Sequence, residues 1–252
     1  MTMRDFLIRG MLVGVLAAVV AFGFASIVGE PQIVSSIAFE EAGHAAEAHD
    51  MAGMTAEAPE LVSRPIQSTI GLATGLLMLG VAYGGIFAIA FALVSGRIRG
   101  LGVQGTALLV ALATFVALYL IPFLKYPANP PAVGDPDTIV SRTELYFGMM
   151  LVGVIVTVGF FVLRQQLLER RSAWTATLMS AALVAVLLVF AYVVLPEVNE
   201  VPEDFPAAVL WRFRVASIGM QLSIWLTMGL AFGALTERAA HALARPARAT
   251  AA

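Results

Sequence analysis

The residues best suited to chemistry lie in a segment that carries both acids and histidines. Glu40, His44 and Glu47 follow one another at spacings of four and three residues, so they would share one face if this segment formed a helix. His49 follows two residues later. Carboxylate oxygen and imidazole nitrogen suit divalent ions such as cobalt, nickel and zinc. The four residues are therefore candidate metal ligands, and the alternative is a flexible loop kept soluble by its charge.

Two further segments carry acids beside prolines. Residues 121–136 include five prolines, which make this stretch stiff. Asp135 and Asp137 in or beside it are candidate oxygen ligands, as are Asn199 and Glu200 in a later acidic segment. The alternative for the proline-rich stretch is a rigid connector that only sets the spacing of the helices.

Arginines near these acids predict a network of charges at the mouth of a conduit. Arg212 and Arg214 lie where few other cations occur, so nearby acids should offset them. The alternative is a pair of arginines that snorkel beside the interfacial Trp211. The expected members of the network are Arg142, Glu144, Glu203, Asp204, Arg212 and Arg214.

The elements that position these residues are membrane helices. Of the 252 residues, 60% are hydrophobic and only 13% are charged, against roughly 25% charged residues in an ordinary soluble domain. A soluble chain of this size could not bury so much apolar surface, so a soluble enzyme and a disordered chain are both excluded. The chain has no cysteine, which excludes disulfides, thiolate metal sites and iron–sulfur clusters.

Six charge-free apolar runs are long enough to cross a bilayer as helices. The sequence therefore predicts an all-α polytopic integral membrane protein, with residues 1–252 forming one membrane domain. The predicted spans are residues 10–29, 70–94, 103–124, 145–163, 174–195 and 215–235. The predicted outer loops are residues 30–68, 125–144 and 196–214.

The distribution of charge predicts the orientation. Ten of the fifteen Lys and Arg residues fall on the side that holds both termini, which the positive-inside rule places in the cytoplasm. Fourteen of the seventeen acids fall on the other side. The alternative is cleavage of the first run as a signal peptide, which would leave five spans in the same orientation.

Two sequence patterns concern the packing of the spans. Pro31, Pro122 and Pro196 are predicted to end the three outward helices, which fits either three helical hairpins or the general occurrence of proline at helix ends. Glycine pairs spaced by four residues permit close contacts that are internal, homo-oligomeric or with a partner. These pairs are Gly10/Gly14, Gly71/Gly75, Gly80/Gly84 and Gly229/Gly233.

The predicted spans hold no residue set that catalysis would need. They contain no Asp, Glu, Lys or His well away from a helix end, which argues against a proton-coupled pump. A phosphate-binding Gly-x4-Gly-Lys-Ser/Thr loop is also missing from the sequence. We therefore expect no enzyme, but a passive conduit, one subunit of a transporter, or a scaffold that moves nothing itself.

Several segments resemble the CbtA family of predicted cobalt transporter subunits. Residues 125–136 read Lys-Tyr-Pro-Ala-Asn-Pro-Pro-Ala-Val-Gly-Asp-Pro, and residues 196–206 read Pro-Glu-Val-Asn-Glu-Val-Pro-Glu-Asp-Phe-Pro. Leu-Trp-Arg-Phe-Arg follows at residues 210–214. The basic N-terminus, the first apolar run and the Glu30-Pro31 pair are also similar to the family, so the resemblance extends over essentially the whole chain.

The resemblance implies bacterial cobalt uptake at the cytoplasmic membrane, linked to cobalamin synthesis. It implies cobalt(II) as the transported ion, with no cofactor bound permanently. The implied partner is a small single-span, histidine-rich subunit of the CbtB type, and a homo-oligomer in the lipid bilayer is a further expectation. No nucleic-acid partner is expected. The alternatives are a non-transporting scaffold and a transporter for nickel or another divalent metal.

Overall fold

The fold of the chain was analysed in a computed structural model, which describes residues 1–50, 62–98 and 100–249. Within these residues six helices are long and apolar enough to cross a membrane, and there are no strands. The all-α polytopic fold class is thereby confirmed. The six helices are Met3–Gly43, Arg64–Val94, Val103–Lys125, Pro136–Leu167, Ala173–Val194 and Ala207–Leu243.

Several of these long helices consist of α-helical pieces joined by wider π turns. The α-helical pieces are α1 (Met3–Phe24), α2 (Glu30–Asp50), α3 (Arg64–Ile66), α4 (Leu72–Val94), α5 (Val103–Phe115), α6 (Ile121–Lys125), α7 (Ile139–Leu167), α8 (Ala173–Val194) and α9 (Ala207–Ala249). The π turns are Ala25–Gly29, Gln67–Gly71 and Val116–Leu120, and Pro136–Thr138 forms a short 3-10 turn.

The helices extend beyond the apolar runs of the sequence. The first one continues through α2 to Asp50, although a loop was expected from residue 30, and helix resumes at Arg64, before residue 70. The reason is local: residues 38–48 contain five alanines, and alanine has the highest helix propensity. Hydropathy marks only the part of a helix that suits lipid, so it does not mark the helix ends.

Pro31 and Pro122 do not end their helices, contrary to the expectation from the sequence. A π turn precedes each proline at the same distance: the N–H of Glu30 donates to the Ala25 carbonyl, and that of Ile121 donates to the Val116 carbonyl. The wider turn gives room for a proline ring, which would clash with the carbonyl of an ordinary α-helical turn. Only Pro196 of the three follows a helix end, at Val194.

The chain divides into two compact units. Unit 1 comprises Met1–Leu112, Pro130–Ala132 and Ala207–Ala252, and unit 2 comprises Ala113–Asn129 and Val133–Pro206.

In unit 1, α1 and α4 contact each other backbone to backbone. A Cβ added to Gly10 would overlap the Gly84 carbonyl, and one added to Gly14 would overlap the Gly80 carbonyl. The converse holds for Gly80 and Gly84. Two of the four glycine pairs in the sequence therefore pack against each other, in an antiparallel arrangement.

The remaining glycine pairs differ from each other. Gly229 and Gly233 of α9 pack against α5, where their nearest neighbours include Ala111 and Ala107. At Gly75, by contrast, an added Cβ meets no atom within 4 Å.

Aromatic rings fill the core of unit 1 at the end nearest the N-terminus. Phe87, Phe91 and Phe232 are fully buried, and Phe232 makes edge-to-face contacts with the other two at centroid distances of 5.2 and 5.0 Å. Phe6 of α1 joins them, 5.6 Å from the Phe91 ring.

Unit 2 packs α7 against the π turn Val116–Leu120 and against α8. The backbone of α7 approaches the π turn closely at Gly153, where an added Cβ would overlap the Ala117 carbonyl. The buried residues Ile121, Met149 and Val156 form the apolar cluster beside it.

We predict that the glycine contact between α1 and α4 limits the stability of the protein. Gly14→Ala should lower the stability by about 1–3 kcal/mol, because the added methyl group overpacks a backbone contact. Gly75→Ala is the matched control, and it should be neutral or stabilising, since alanine is the better helix former. The measurement is the fraction of purified protein that remains monodisperse in detergent after heating. Equal losses for the two variants would contradict the prediction.

Candidate functional site

Glu200 is the centre of a polar cluster in unit 2. Its carboxylate accepts a hydrogen bond from the Thr138 hydroxyl at 2.7 Å and one from the Asp135 backbone N–H at 2.8 Å. It also forms an ion pair with Arg142, with 3.3 Å between Nη1 and Oε2. These partners lower the pKa of the Glu200 carboxyl, and the hydrogen bond from Thr138 contributes most. We refer to Asp135, Thr138, Arg142 and Glu200 as the Glu200 clamp.

The backbone before Asp135 is shaped to admit the Arg142 side chain. Gly134 has a φ of +121°, which residues other than glycine rarely adopt. A Cβ at Gly134 would overlap the Arg142 guanidinium, so the arginine occupies the space that the missing side chain leaves. Arg142 also donates from Nη2 to the Asp135 carbonyl at 2.9 Å. One arginine thus joins the loop to the acidic segment around Glu200.

The four predicted oxygen ligands near this clamp differ in their surroundings. Asp135 and Asp137 are exposed, and one carboxylate oxygen of Asp135 accepts a 2.9 Å hydrogen bond from the Asp137 N–H. Asn199 is exposed, and Glu200 is held as described. Among the residues that the structure describes, no group of three or more His, Asp or Glu side chains is placed to hold a metal ion.

Two tyrosines join the ends of α6 and α8. The Tyr126 hydroxyl donates to the Pro196 carbonyl at 2.9 Å, and the Tyr192 hydroxyl donates to the Ile121 carbonyl at 2.8 Å. Lys125 donates to the Tyr192 carbonyl at 2.9 Å. Burial raises the pKa of the Tyr126 hydroxyl above its ordinary value, which is already well above neutral pH. These three bonds fix the positions from which the two acidic segments start.

The histidine-bearing segment of unit 1 is helical, although it was predicted to be an outer loop. Glu40 lies in α2 and is half-buried, and the backbone of residues 44, 47 and 49 continues the same helix. Glu40, His44 and Glu47 therefore share one helix face. The side chains of His44, Glu47 and His49 lie outside the described part of the chain.

The six residues expected at the mouth are distributed over both units. Arg142 belongs to the Glu200 clamp, while Glu144, Glu203 and Asp204 of unit 2 are exposed. In unit 1, Arg212 is exposed and Arg214 is half-buried.

The structure also places together charged residues that the sequence interpretation did not pair. In unit 1, Arg64 and Glu30 form an ion pair of 2.6 Å between Nη2 and Oε2. Glu30 directly follows one apolar run and Arg64 directly precedes the next. These positions at the ends of apolar runs were the sequence signal that could have indicated the pair. Thr138 of the Glu200 clamp was not predicted, because a lone threonine carries no sequence signal.

Comparison with known proteins identifies one family. The family model described as "Probable cobalt transporter subunit (CbtA)" matches residues 3–237. No curated protein and no solved structure matches the chain.

We predict that the pKa of Glu200 lies below that of an ordinary glutamate, which is about 4.3. Because its pKa is lowered in the folded protein, the clamp stabilises the fold above the unfolded pKa and loses this effect as the pH falls through the folded value. The chemical shift of the Thr138 methyl group should follow this titration, and in Glu200→Gln it should no longer change with pH over the same range. Glu197→Gln, at an exposed neighbour, is the control. A midpoint at or above the ordinary value would contradict the prediction.

We also predict that Gly134→Ala disrupts the clamp. The change forces a residue with a side chain into positive φ, at a cost of about 1–2 kcal/mol, and displaces Arg142. Gly148→Ala is the matched control, because an added Cβ there meets no atom within 4 Å. Denaturant unfolding in detergent, followed by circular dichroism, measures the difference. A Gly134→Ala protein as stable as the control would count against the described loop.

Proposed function

This chain belongs to the CbtA family of probable cobalt transporter subunits, and on that premise we propose that it is one subunit of a bacterial cobalt uptake transporter. The observation that carries the proposal is the family match over residues 3–237, together with six helices suited to a bilayer. In the proposal cobalt(II) is the cargo, and no cofactor is bound permanently. The physiological purpose would be to supply cobalt for cobalamin synthesis.

In this proposal the protein lies in the cytoplasmic membrane with both termini in the cytoplasm. The excess of Lys and Arg on the side of the termini supports this orientation. The outer segments then carry a net charge of −9 and the inner ones +7. A negative outer surface raises the local concentration of divalent cations.

We propose that α2 makes the first, weak capture of the ion. Glu40, His44 and Glu47 share one face of this helix, and His49 lies just beyond them. The helical backbone supports this placement. Two carboxylates and an imidazole on one face suit a hydrated divalent ion of intermediate softness.

The second step of the proposal uses oxygen ligands at the end of unit 2. Asp135, Asp137 and Asn199 are exposed at or near the Glu200 clamp and would supply oxygens to the ion. Glu200 would act mainly by positioning, because its carboxylate already accepts from Thr138, Asp135 and Arg142. Arg142, Arg212 and Arg214, with Glu144, Glu203 and Asp204, would balance charge at the mouth.

The proposed transporter includes a partner. The family description of a subunit supports an assembly. This chain has only three histidines. A small single-span, histidine-rich protein of the CbtB type would supply further imidazoles. Self-association within the bilayer is a further part of the proposal.

A second candidate function is that of a scaffold that assembles the transporter and carries no ion. It is favoured by the predicted spans, which contain no Asp, Glu, Lys or His well away from a helix end. A cargo of nickel or another divalent metal is compatible with the same oxygen and nitrogen ligands.

The proposal is tested by radiocobalt uptake in bacterial cells that lack their own cobalt importers. The chain is expressed alone, with the histidine-rich partner, and with Glu40, His44, Glu47 and His49 all changed to Ala. We expect uptake that requires this chain and falls several-fold in the quadruple variant, because capture loses its ligands. Unlabelled nickel serves as competitor to compare the two cargoes.

Two controls make the outcome decisive. Glu169→Gln changes an exposed acid on the predicted inner side and should leave uptake unchanged. Asp135→Asn with Asp137→Asn tests the second step separately. Absence of uptake in every combination, with the protein detected in the membrane, would overturn the transport proposal and leave the scaffold.

A further inference from the structure

Three buried polar atoms of unit 1 have no hydrogen-bond partner among the described residues. They are the Ser26 hydroxyl oxygen, Arg64 Nε and Trp225 Nε1. Arg64 Nε and Trp225 Nε1 can only donate, so both require an acceptor. Trp225 is 2% exposed and lies in a membrane helix, where a donor left unsatisfied is costly. Such groups in a native protein usually mark bound water or a ligand.

The helix register places these atoms in order of depth. Phe24 of the first helix contacts Gly219 of α9, and Arg9 donates to the Thr236 hydroxyl at 3.2 Å. These two contacts set an antiparallel register, which brings Ser26 level with about residue 217. The Glu30–Arg64 ion pair lies one turn further out than Ser26.

Polar residues on α9 continue this series inward. Ser217, Gln221 and Trp225 follow at spacings of four residues and therefore share one helix face. From Arg214 to Trp225 is eleven residues, or about 16 Å along the helix. That distance is about half of the roughly 30 Å hydrocarbon layer.

The series stops at Trp225. Tyr83 stacks on the indole with 5.3 Å between ring centroids. Further inward on α9, Met228 and Phe232 are fully buried, and Phe232 packs against Phe87. Around these residues the inner half of unit 1 is therefore a closely packed apolar core.

We propose that water enters unit 1 beside the Glu30–Arg64 pair, follows the face of α9 that bears Ser217 and Gln221, and ends at the Trp225 indole N–H. The unpartnered donors call for an oxygen acceptor, and water is the neutral acceptor small enough to reach all three atoms. A bare metal cation is not held along this path, because Arg64 and Trp225 present hydrogens. The proposal does not rest on the cobalt function.

The absence of cysteine from the chain allows a direct test by substituted-cysteine labelling. Ser26→Cys and Gln221→Cys are treated from the predicted outer side with membrane-impermeant methanethiosulfonates. Both should react at least about tenfold faster than Ile27→Cys and Leu222→Cys, because thiols in lipid stay protonated. Those controls are the adjacent residues, and they face away from the protein core with exposures of 77% and 38%. Glu197→Cys, in the exposed loop, confirms that the reagent is active.

The charge of the reagent tests the nature of the lining. The lining of donors should raise the ratio of the rate with the anionic sulfonatoethyl reagent to the rate with the cationic trimethylammonium reagent at Ser26→Cys above the same ratio at Glu197→Cys, where the negative outer surface acts alone. A ratio at Ser26→Cys that is no higher than at Glu197→Cys would overturn the donor-lined path. Failure of both polar positions to react, while Glu197→Cys reacts, would overturn the water path itself.

Fluorescence gives a second measurement that needs no substitution on the path. In the double variant Trp174→Phe and Trp211→Phe, Trp225 is the remaining tryptophan. We expect the red-shifted emission of an indole hydrogen-bonded to water, whereas the blue-shifted emission of a dry indole would contradict the proposal. Either result is independent of cobalt uptake, so failure of the transport proposal and failure of the water path can be told apart.

Discussion

The backbone contact between α1 and α4 is the constraint on which the packing of unit 1 depends. Lipid offers no hydrophobic drive for two apolar helices to associate, so close packing must supply the attraction. Gly10 and Gly14 meet Gly84 and Gly80 without any side chain between them. The same antiparallel register, continued along the helices, brings Glu30 opposite Arg64. A steric contact deep in the bilayer thus determines which charges meet at its edge.

Each unit pairs an arginine at or near the start of a returning helix with an acid. Arg64 pairs with Glu30 in unit 1, and Arg142 pairs with Glu200 in unit 2. Both arginines belong to the minority of cations on the side that the sequence predicts to be rich in acids. Each ion pair neutralises its arginine locally, so the predicted negative potential of that side would come from exposed residues such as Asp135 and Asp137.

The sequence was sufficient to predict the six helices, because hydropathy is a local signal. The four-residue spacing marked glycines that permit close contacts, but it did not indicate which pairs meet, and an added Cβ at Gly75 meets no atom within 4 Å. The sequence was not sufficient to predict the Glu200 clamp, since Arg142, Thr138 and Glu200 become neighbours only when α7 and the acidic segment fold together. The continuation of helix through Pro31 was also missed, because a π turn has no distinctive sequence. The histidine-bearing segment was predicted to be an outer loop and is helical instead, so only the conditional argument that Glu40, His44 and Glu47 would share a helix face applies, and its metal binding stays a prediction.

The π turn Ala25–Gly29 has a consequence for how this chain tolerates insertion and deletion. A π turn holds one residue more than an α-helical turn, and each residue of a helix advances the side-chain direction by about 100°. Because the extra residue is absorbed within one turn, the residues beyond it keep nearly the direction that they would have in a regular helix one residue shorter. Deleting one residue there would therefore leave Glu40 on nearly the same face, but Pro31 would lose the wider turn that gives room for its ring.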